Sequence, residues 1–483
     1  MTKLSAWRMA GVMFLLFAAT AIAASGQIFN TLYNFGGDSG EYPLSTVAQG
    51  RDGNFYGTTE YGGTGSGCRP LGCGTIFKIT PDGTLTTLYS FCALTYCTSL
   101  FGEEPSGLVL ATDGNFYGTT AAGGPSNFGT FFRITPTGTL TNLHSFDGTD
   151  GSRPLGTLVQ ATDGSFYGTT QSGGDLTCDD PYGCGTVFKI TPTGALTTLH
   201  SFEATDGYEP GGGVVQANDG NFYGTTPLGG AHNAGTVFRI TLKGRLTTVH
   251  TFDGTDGYFP AAGMVQATDG NLYGTTNSGG TYGVGVVFRI SLGGALTTLY
   301  GFCAQGSPCT DGSYPAGPLV QATDGDFYGT TDMGGSGSTC EYACGTIFKI
   351  TRGGALTTLH TFDDAYDSAY PTGLIQASDG SFFGTTSYSG SNNDGTVFEL
   401  NVGIGPFVTL VHDSGRVGHS GGILGQGFTG TTSVSLNGVP ASFTVISDTF
   451  LKATVPVGAT TGYVTVTTPG GTLTSNVPFR VIQ

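Results

Sequence analysis

The alternation of apolar and polar positions repeats one pattern along most of the chain. In the copy that begins at Pro154 it runs "GTLVQA", "SFYGTT", "GTVFKIT" and "ALTTLHSF". Each segment is short, rich in Val, Ile, Phe, Tyr and Thr, and bounded by Gly, Pro, Asp or Asn, which predicts a strand. Asp-Gly joins the first two, the strongest short hairpin signal, because that turn needs positive φ at its central residues. "PDG", "PTG" or a glycine pair joins the last two. No segment has the 3.6-residue period of a helix.

The sentence "ATDGNFYGTT" at Ala111 to Thr120 has near-copies throughout. Its Asp falls at Asp52, Asp113, Asp163, Asp219, Asp269, Asp324 and Asp379, at intervals of 61, 50, 56, 50, 55 and 55 residues. A base period of 50 with insertions suits the blades of a propeller, each an antiparallel four-stranded sheet. The last copy stops after its third strand, "GTVFEL", while a spare fourth strand, "IFNTLYNF" at Ile28 to Phe35, precedes the first copy. The expected architecture is therefore all-β: a seven-bladed β-propeller over residues 25–402, closed by its N-terminal strand. Closure removes the sheet edges that invite aggregation.

Residues 403–483 depart from the repeat. Alternating segments such as "TSVSLNG", "ASFTVIS", "FLKATVP" and "GYVTVTTPGG" predict a small immunoglobulin-like β-sandwich.

Composition supports a folded chain. Charged residues are only 11% and Gly is 85 of 483, yet aromatics reach 12%, which a disordered Gly-rich chain would lack. Residues 1–24 read as a signal peptide: Lys3 and Arg8, an apolar run, then Ala21-Ile22-Ala23 with cleavage near Ala23 or Ala24. A retained membrane anchor is the alternative, but the run is short and ends in small residues. Loss of Lys3 and Arg8 takes the formal charge from −17 to −19. Nucleic acid and anionic membranes are therefore poor partners, since binding them needs a basic surface, and no nucleic-acid partner is expected. The expected setting is secreted or cell-surface, without a transmembrane anchor after cleavage.

Ten cysteines form five close pairs: Cys68 with Cys73, Cys92 with Cys97, Cys178 with Cys184, Cys303 with Cys309, and Cys340 with Cys344. Behind a signal peptide these read as local disulfides. Zinc is the alternative, but the spacings are irregular and no His pattern accompanies them. Three pairs lie between strands two and three, and two between strand four and the next strand one. Both connections emerge on one face of the ring, so all length variation gathers there, where variable loops on a rigid scaffold build binding sites.

Candidate chemistry is sought where the repeat breaks on that face. The candidate ligand-binding residues are Arg69, Glu103, Glu104, Arg153, Glu209, Tyr258, Phe259 and Tyr314. Tyrosines with carboxylates around a ring suit a sugar, by stacking and hydrogen bonds. Ordinary solvated loops are the competing reading. The "DGTDG" loops offer Asp147, Asp150, Asp253 and Asp256 as weak calcium ligands, without the full spacing of a calcium loop. His144, His200, His250 and His360 recur at one position of strand four, where other copies have Tyr33, Tyr89 and Tyr300, so they serve the scaffold. "GHSGG" at Gly418 to Gly422 matches a nucleophile elbow in letters but lacks the following helix.

Two resemblances accompany these residues. "DGNFYGTT", "GTVFKIT" and "LTTLHSF" resemble the bacterial GloVer tandem repeats over Ile28 to Asn401, and "DGN" with "ITPTG" is more weakly similar to seven-bladed streptogramin lyases. "GGILGQGF", "VSLNG" and "VTVTTPGG" resemble the IPT/TIG family, which implies a spacer or adhesion module. The expected function is a non-enzymatic binding or adhesion protein whose extracellular ligand, a glycan or a protein, sits on the disulfide-bearing face. Its alternatives are an extracellular lyase or glycan-active enzyme, and a purely structural surface protein. No cofactor is expected beyond calcium.

Overall fold

The computed structural model describes residues 27–64, 72–92, 103–179, 181–336, 344–363 and 369–482. Each copy of the repeat is a sheet of four antiparallel strands, such as Ala48–Gln49, Phe55–Thr59, Thr75–Ile79 and Leu85–Ser90. One copy carries an extra short strand, Ser313–Pro315. In the last copy Ile28–Asn34 pairs antiparallel with Thr396–Asn401, from Ile28 opposite Asn401 to Asn34 opposite Thr396. The fourth strand of that sheet thus comes from the other end of the chain. Among the described residues the one helical piece is a 3-10 turn, Gly37–Ser39, and no helix is long and apolar enough to cross a membrane.

The recurring sentence builds both the sheet and its contact with the next one. One Asp carboxylate oxygen accepts the backbone N–H two residues on, as Asp113 does from Asn115 at 2.9 Å. The other accepts the Tyr hydroxyl four residues on, at 2.8–3.0 Å in the six copies that have Tyr. That clasp holds the hairpin turn and satisfies a phenol whose ring is buried. Phe and Tyr alternate to opposite faces of the strand. Five of the six Tyr therefore meet the Phe of the following sheet, such as Tyr56 on Phe116 at 4.1 Å and Tyr167 on Phe222 at 4.0 Å, while Tyr223 faces Leu272. Phe383 of the last sheet stacks on Phe55 of the first at 3.9 Å, so the series returns to its start. The Gly after each Tyr makes room for a strand-three Phe; a Cβ on Gly57 would lie 2.5 Å from the Phe77 ring.

The residues after 402 form a sandwich. Its sheets are Thr409–Leu410, Ser420–Leu424, Phe450–Thr454, Phe443–Ser447 and Val439–Ala441, Ser433–Leu436, Val464–Thr468, Gly471–Thr474. Val408, Phe428, Leu451, Val466 and Phe479 fill the space between them. This unit rests on the Asp-Gly turns of the repeat region. The Thr449 hydroxyl donates to the Arg51 carbonyl at 2.8 Å, and the Arg51 guanidinium lies 4.5 Å from the Phe450 ring centre. Arg480 donates to the Ala217 carbonyl at 3.1 Å, and the Phe407 N–H to that of Ser378 at 3.0 Å. A 720 Å³ cleft separates Tyr463 and Asn476 from the turns at Thr268 and Thr323. Contacts to turns of the first, fourth and last copies carry the sandwich across that face. It is a docked partner of the repeat region and departs from a free spacer.

Cys178–Cys184 and Cys303–Cys309 are disulfides. Cys73, Cys92 and Cys344 are also disulfide-bonded; their expected partners Cys68, Cys97 and Cys340 lie outside the described residues, as do the signal segment, Arg69, Asp180 and Glu341.

Candidate functional site

Opposite the sandwich, the inner ends of the sheets converge on a cavity of about 280 Å³. Two sets of positions that depart from the repeat contribute to its lining, Glu104 and Arg153 from one and Glu60 and Ala121 from the other.

The first set stands immediately before the proline that leads into each inner strand: Tyr42, Glu104, Arg153, Glu209, Phe259, Tyr314 and Tyr370. All are non-glycine residues with φ between 55 and 61°. That conformation costs a side-chain-bearing residue about 1 kcal/mol or more, and proline further narrows its predecessor's choices. The scaffold compensates twice. Each N–H donates to a carbonyl of the preceding sheet at 2.8–3.2 Å, from Tyr42 to Asp394 round to Tyr370 to Cys344. The following proline packs where a glycine of that sheet leaves space: a Cβ on Gly129 would lie 2.8 Å from Pro154, and one on Gly395 2.7 Å from Pro43. The backbone repeats while the side chain varies, as a site built on a rigid frame requires.

The second set follows the Thr-Thr pair of strand two: Glu60, Ala121, Gln171, Pro227, Asn277, Asp332 and Ser387. Its members sit beside the first set across the strand pair; the N–H groups of Glu60, Gln171 and Asn277 donate at 3.0 Å to the carbonyls of Tyr42, Arg153 and Phe259.

The cavity walls are unequal. Ser45, Thr46, Glu60, Glu104, Ser106, Arg153 and Thr157, from the first three copies, form a polar wall. Gly211, Gly212, Ala261, Ala262, Ala316 and Gly317, from the next three, form a smooth one. Glu60 is hydrogen-bonded to Tyr61. Burial and the Glu104 charge raise its carboxyl above the usual range, while Arg153 draws it down. The Tyr61 phenol is pushed up to about 12 by burial and by Glu60. Arg153 Nε donates to Gln171 at 3.1 Å. At the equivalent position of the sixth copy burial lifts Asp332 to about 6. Tyrosine rings extend the polar side outward: Tyr61 and Tyr42 lie 5.8 Å apart, and Tyr388 stands 6.3 Å from both Tyr42 and Tyr370.

The expected ligand residues divide accordingly. Glu104 and Arg153 line the cavity, and Glu209, Phe259 and Tyr314 hold equivalent places on its rim. Glu103 and Tyr258 stand one residue earlier in the chain and are not part of the cavity lining, although the Tyr258 ring lies 6.3 Å from that of Phe259. Glu103 Oε1 lies 3.9 Å from Cys92 Sγ, and Tyr258 is bridged to Ser278. Glu60, Tyr61, Asp332 and Tyr388 were not expected. For Glu60 and Asp332 the signal was the variable position after Thr-Thr, and for Tyr61 and Tyr388 the one after that, masked by the regular residues before them.

Asp147 Oδ1 accepts from the Thr149 N–H and hydroxyl, and Asp150 Oδ1 from the Asp147 N–H. Asp150 Oδ2 meets His144 Nε2 at 2.7 Å. Asp253, Asp256 and His250 repeat this arrangement. The loop carboxylates hold their own turn, and the strand-four histidines tie it down. Among the described residues, the group with three metal-type ligand atoms together is Cys73, Cys92 and Glu103, and both cysteines are in disulfides.

A ring of four-stranded sheets around a polar-mouthed cavity defines a β-propeller-like scaffold with its variable residues on one face. The chain belongs to the family described as the Gloeobacter/Verrucomicrobia repeat, which matches residues 15–179 and 176–398. No curated protein matches it. Among solved structures it is similar to the extracellular domain of a protein described as a hybrid two component system from B. thetaiotaomicron. The TM-score is 0.50 and the identity 13%, over 93% of this chain and 54% of that one, so the chain spans about half of that structure's length. It is also similar to a fungal alcohol oxidase in complex with copper, with a TM-score of 0.48 and 12% identity over 94% and 99% of the two chains. A gluconolactonase from Xanthomonas campestris follows, with a TM-score of 0.39 and 13% identity over 79% and 92%. At these identities the likeness is one of fold.

Proposed function

We propose that the chain is a secreted or cell-surface binding protein. In this reading residues 1–24 are a signal peptide, residues 25–402 a seven-bladed propeller, and residues 403–483 an IPT/TIG-type sandwich. The ligand occupies the loop-face mouth, and a glycan suits its chemistry. The observation behind this is the unequal mouth: a regular frame holds Glu60, Glu104 and Arg153 in the cavity wall at the places where its repeat is broken, with Tyr42 at the equivalent position of the first copy. Tyrosine faces and carboxylates recognise sugar C–H and O–H groups. The likeness to an extracellular domain, the disulfides and the lack of a membrane-spanning helix among the described residues support an extracellular setting.

The test is retention of residues 25–483 on an array of polysaccharides and cell-wall glycans, with calcium and with EDTA. Retention that Glu104→Ala and Tyr42→Ala abolish is the expected result. Retention that ignores the loop face, or none at all, overturns the glycan reading and leaves a protein partner or a structural role. Calcium at the Asp147–Asp150 and Asp253–Asp256 loops would have to displace bonds these carboxylates already make; EDTA-sensitive retention is its signature.

A glycan-active or lyase-type enzyme is the second reading. It draws on Glu60 and Glu104, a pair of carboxyls in one cavity with one raised, as acid and base chemistry on a glycosidic bond requires.

A further inference from the structure

The mouth has a charge imbalance that its own residues do not correct. Two carboxylates, Glu60 and Glu104, and one cation, Arg153, line the polar wall. Among the two sets of rim residues the one cation is Arg153, and it donates to the neutral Gln171. Among the described residues none of the ion pairs uses Glu41, Glu60, Glu104 or Asp394. Lys189 and Lys349, which could serve such groups, are bound to the turn aspartates Asp163 and Asp324 on the opposite side of the ring. Burial and the neighbouring carboxylates raise both Glu60 and Glu41. A structural acid cluster elsewhere in this chain looks different: its turn aspartates are clasped by N–H, phenol and ammonium donors.

Two further features favour an incoming ligand. The acids border a cavity of about 280 Å³ whose opposite wall is Gly and Ala, roomy enough for one sugar-sized unit. Tyr61, which is hydrogen-bonded to Glu60, packs against Tyr42, with Tyr388 and Tyr370 following at 6.3 Å spacings, and tyrosine faces attract cations as well as sugar C–H groups. The sandwich lies across the turn face, so the loop face is the open approach.

We propose that the loop-face cavity receives a protonated amine on a hydroxyl-rich ligand, with an amino-sugar unit as the fitting chemistry. The ammonium lies between Glu60 and Glu104, the hydroxyls meet Ser106 and Thr157, and the carbon skeleton rests on the Gly and Ala wall. This rests on the reading of the mouth as a binding site and narrows its ligand.

Calorimetric titration of the mature chain with a short glucosamine oligomer and with its fully N-acetylated counterpart tests it. Acetylation keeps the ring and removes the charge. The free-amine oligomer should bind at least about tenfold more tightly, and added salt should narrow that gap. Glu60→Gln and Glu104→Gln should each weaken amine binding about fivefold or more, while Arg153→Gln should tighten it. A misfolded variant would not gain affinity, so the opposite signs separate electrostatics from damage. Equal or better binding of the acetylated oligomer, or an unchanged affinity in all three variants, overturns the proposal. If neither oligomer binds while the array retains the protein on another sugar, the amine assignment falls and the binding function stands.

Discussion

At the scale of single residues, chemistry separates the two aspartate populations. Asp163 and its equivalents sit among donors, and despite the desolvation that pushes its pKa up, Lys189 and the Ser165 N–H hold Asp163 below the ordinary carboxylate range. Asp332, partly buried on the rim, is lifted by desolvation from 3.8 to about 6. A folded-state carboxyl that keeps its proton to higher pH binds more protons than its unfolded counterpart between those values. Stability therefore falls as pH rises from about 4 through 6 and stays lower above. Asp332→Asn should melt a few degrees higher than the parent at pH 8 and level with it at pH 4, as measured by calorimetry. An equal gain at both pH values would mean that the effect is packing and not charge. The turn aspartates were legible because they recur; Asp332 was not, because burial at one copy leaves no trace in the letters.

At the scale of elements, the strands and their turns were readable because local chemistry prescribes them. Asp-Gly with Tyr four residues on closes a clasp that needs nothing distant, and the Phe-Tyr alternation assigns each ring to one neighbouring sheet. The glycine that follows the pair is a requirement of packing. A Cβ on Gly384 would meet the Gly373 carbonyl and the Phe398 ring, each at 2.5 Å. Gly384→Ala should cost about 1–3 kcal/mol, read as a lower denaturant midpoint; a change within error would show that the sheet slides to accept the methyl. The histidines of strand four were recognisable as scaffold, and their partners Asp150, Asp206 and Asp256 complete that role. Glu103 and Tyr258 mislead in sequence because both neighbour rim residues in the chain.

At the scale of the molecule, the sandwich and the repeat region form a joined unit with one accessible mouth. Arg51 binds both sides of the joint: its guanidinium donates to the Thr112 carbonyl at 2.7 Å and lies over Phe450. Arg480 anchors the far side on Ala217. Losing both arginine side chains should cost roughly 1–2 kcal/mol at the joint. In Arg51→Ala/Arg480→Ala the sandwich should melt separately from the repeat region in calorimetry, while the loop-face cavity keeps its ligand. A single unchanged transition would assign the joint to the Phe407 N–H and Thr449 hydroxyl contacts instead.

By itself the sequence determined the period, the strands, the turn chemistry and the face on which variation gathers, because each depends on neighbours within a few residues or on counting copies. Tertiary structure decided three things that no local pattern encodes. It brought the rim residue before each proline beside the one after Thr-Thr, which lie apart in the chain and meet only across the strand pair. It gave the cavity one charged wall and one smooth wall, by the order in which the copies close round it. It also set the sandwich on the turn face, through single contacts such as Arg51 on Phe450, 399 residues apart, which arise only after both units have folded.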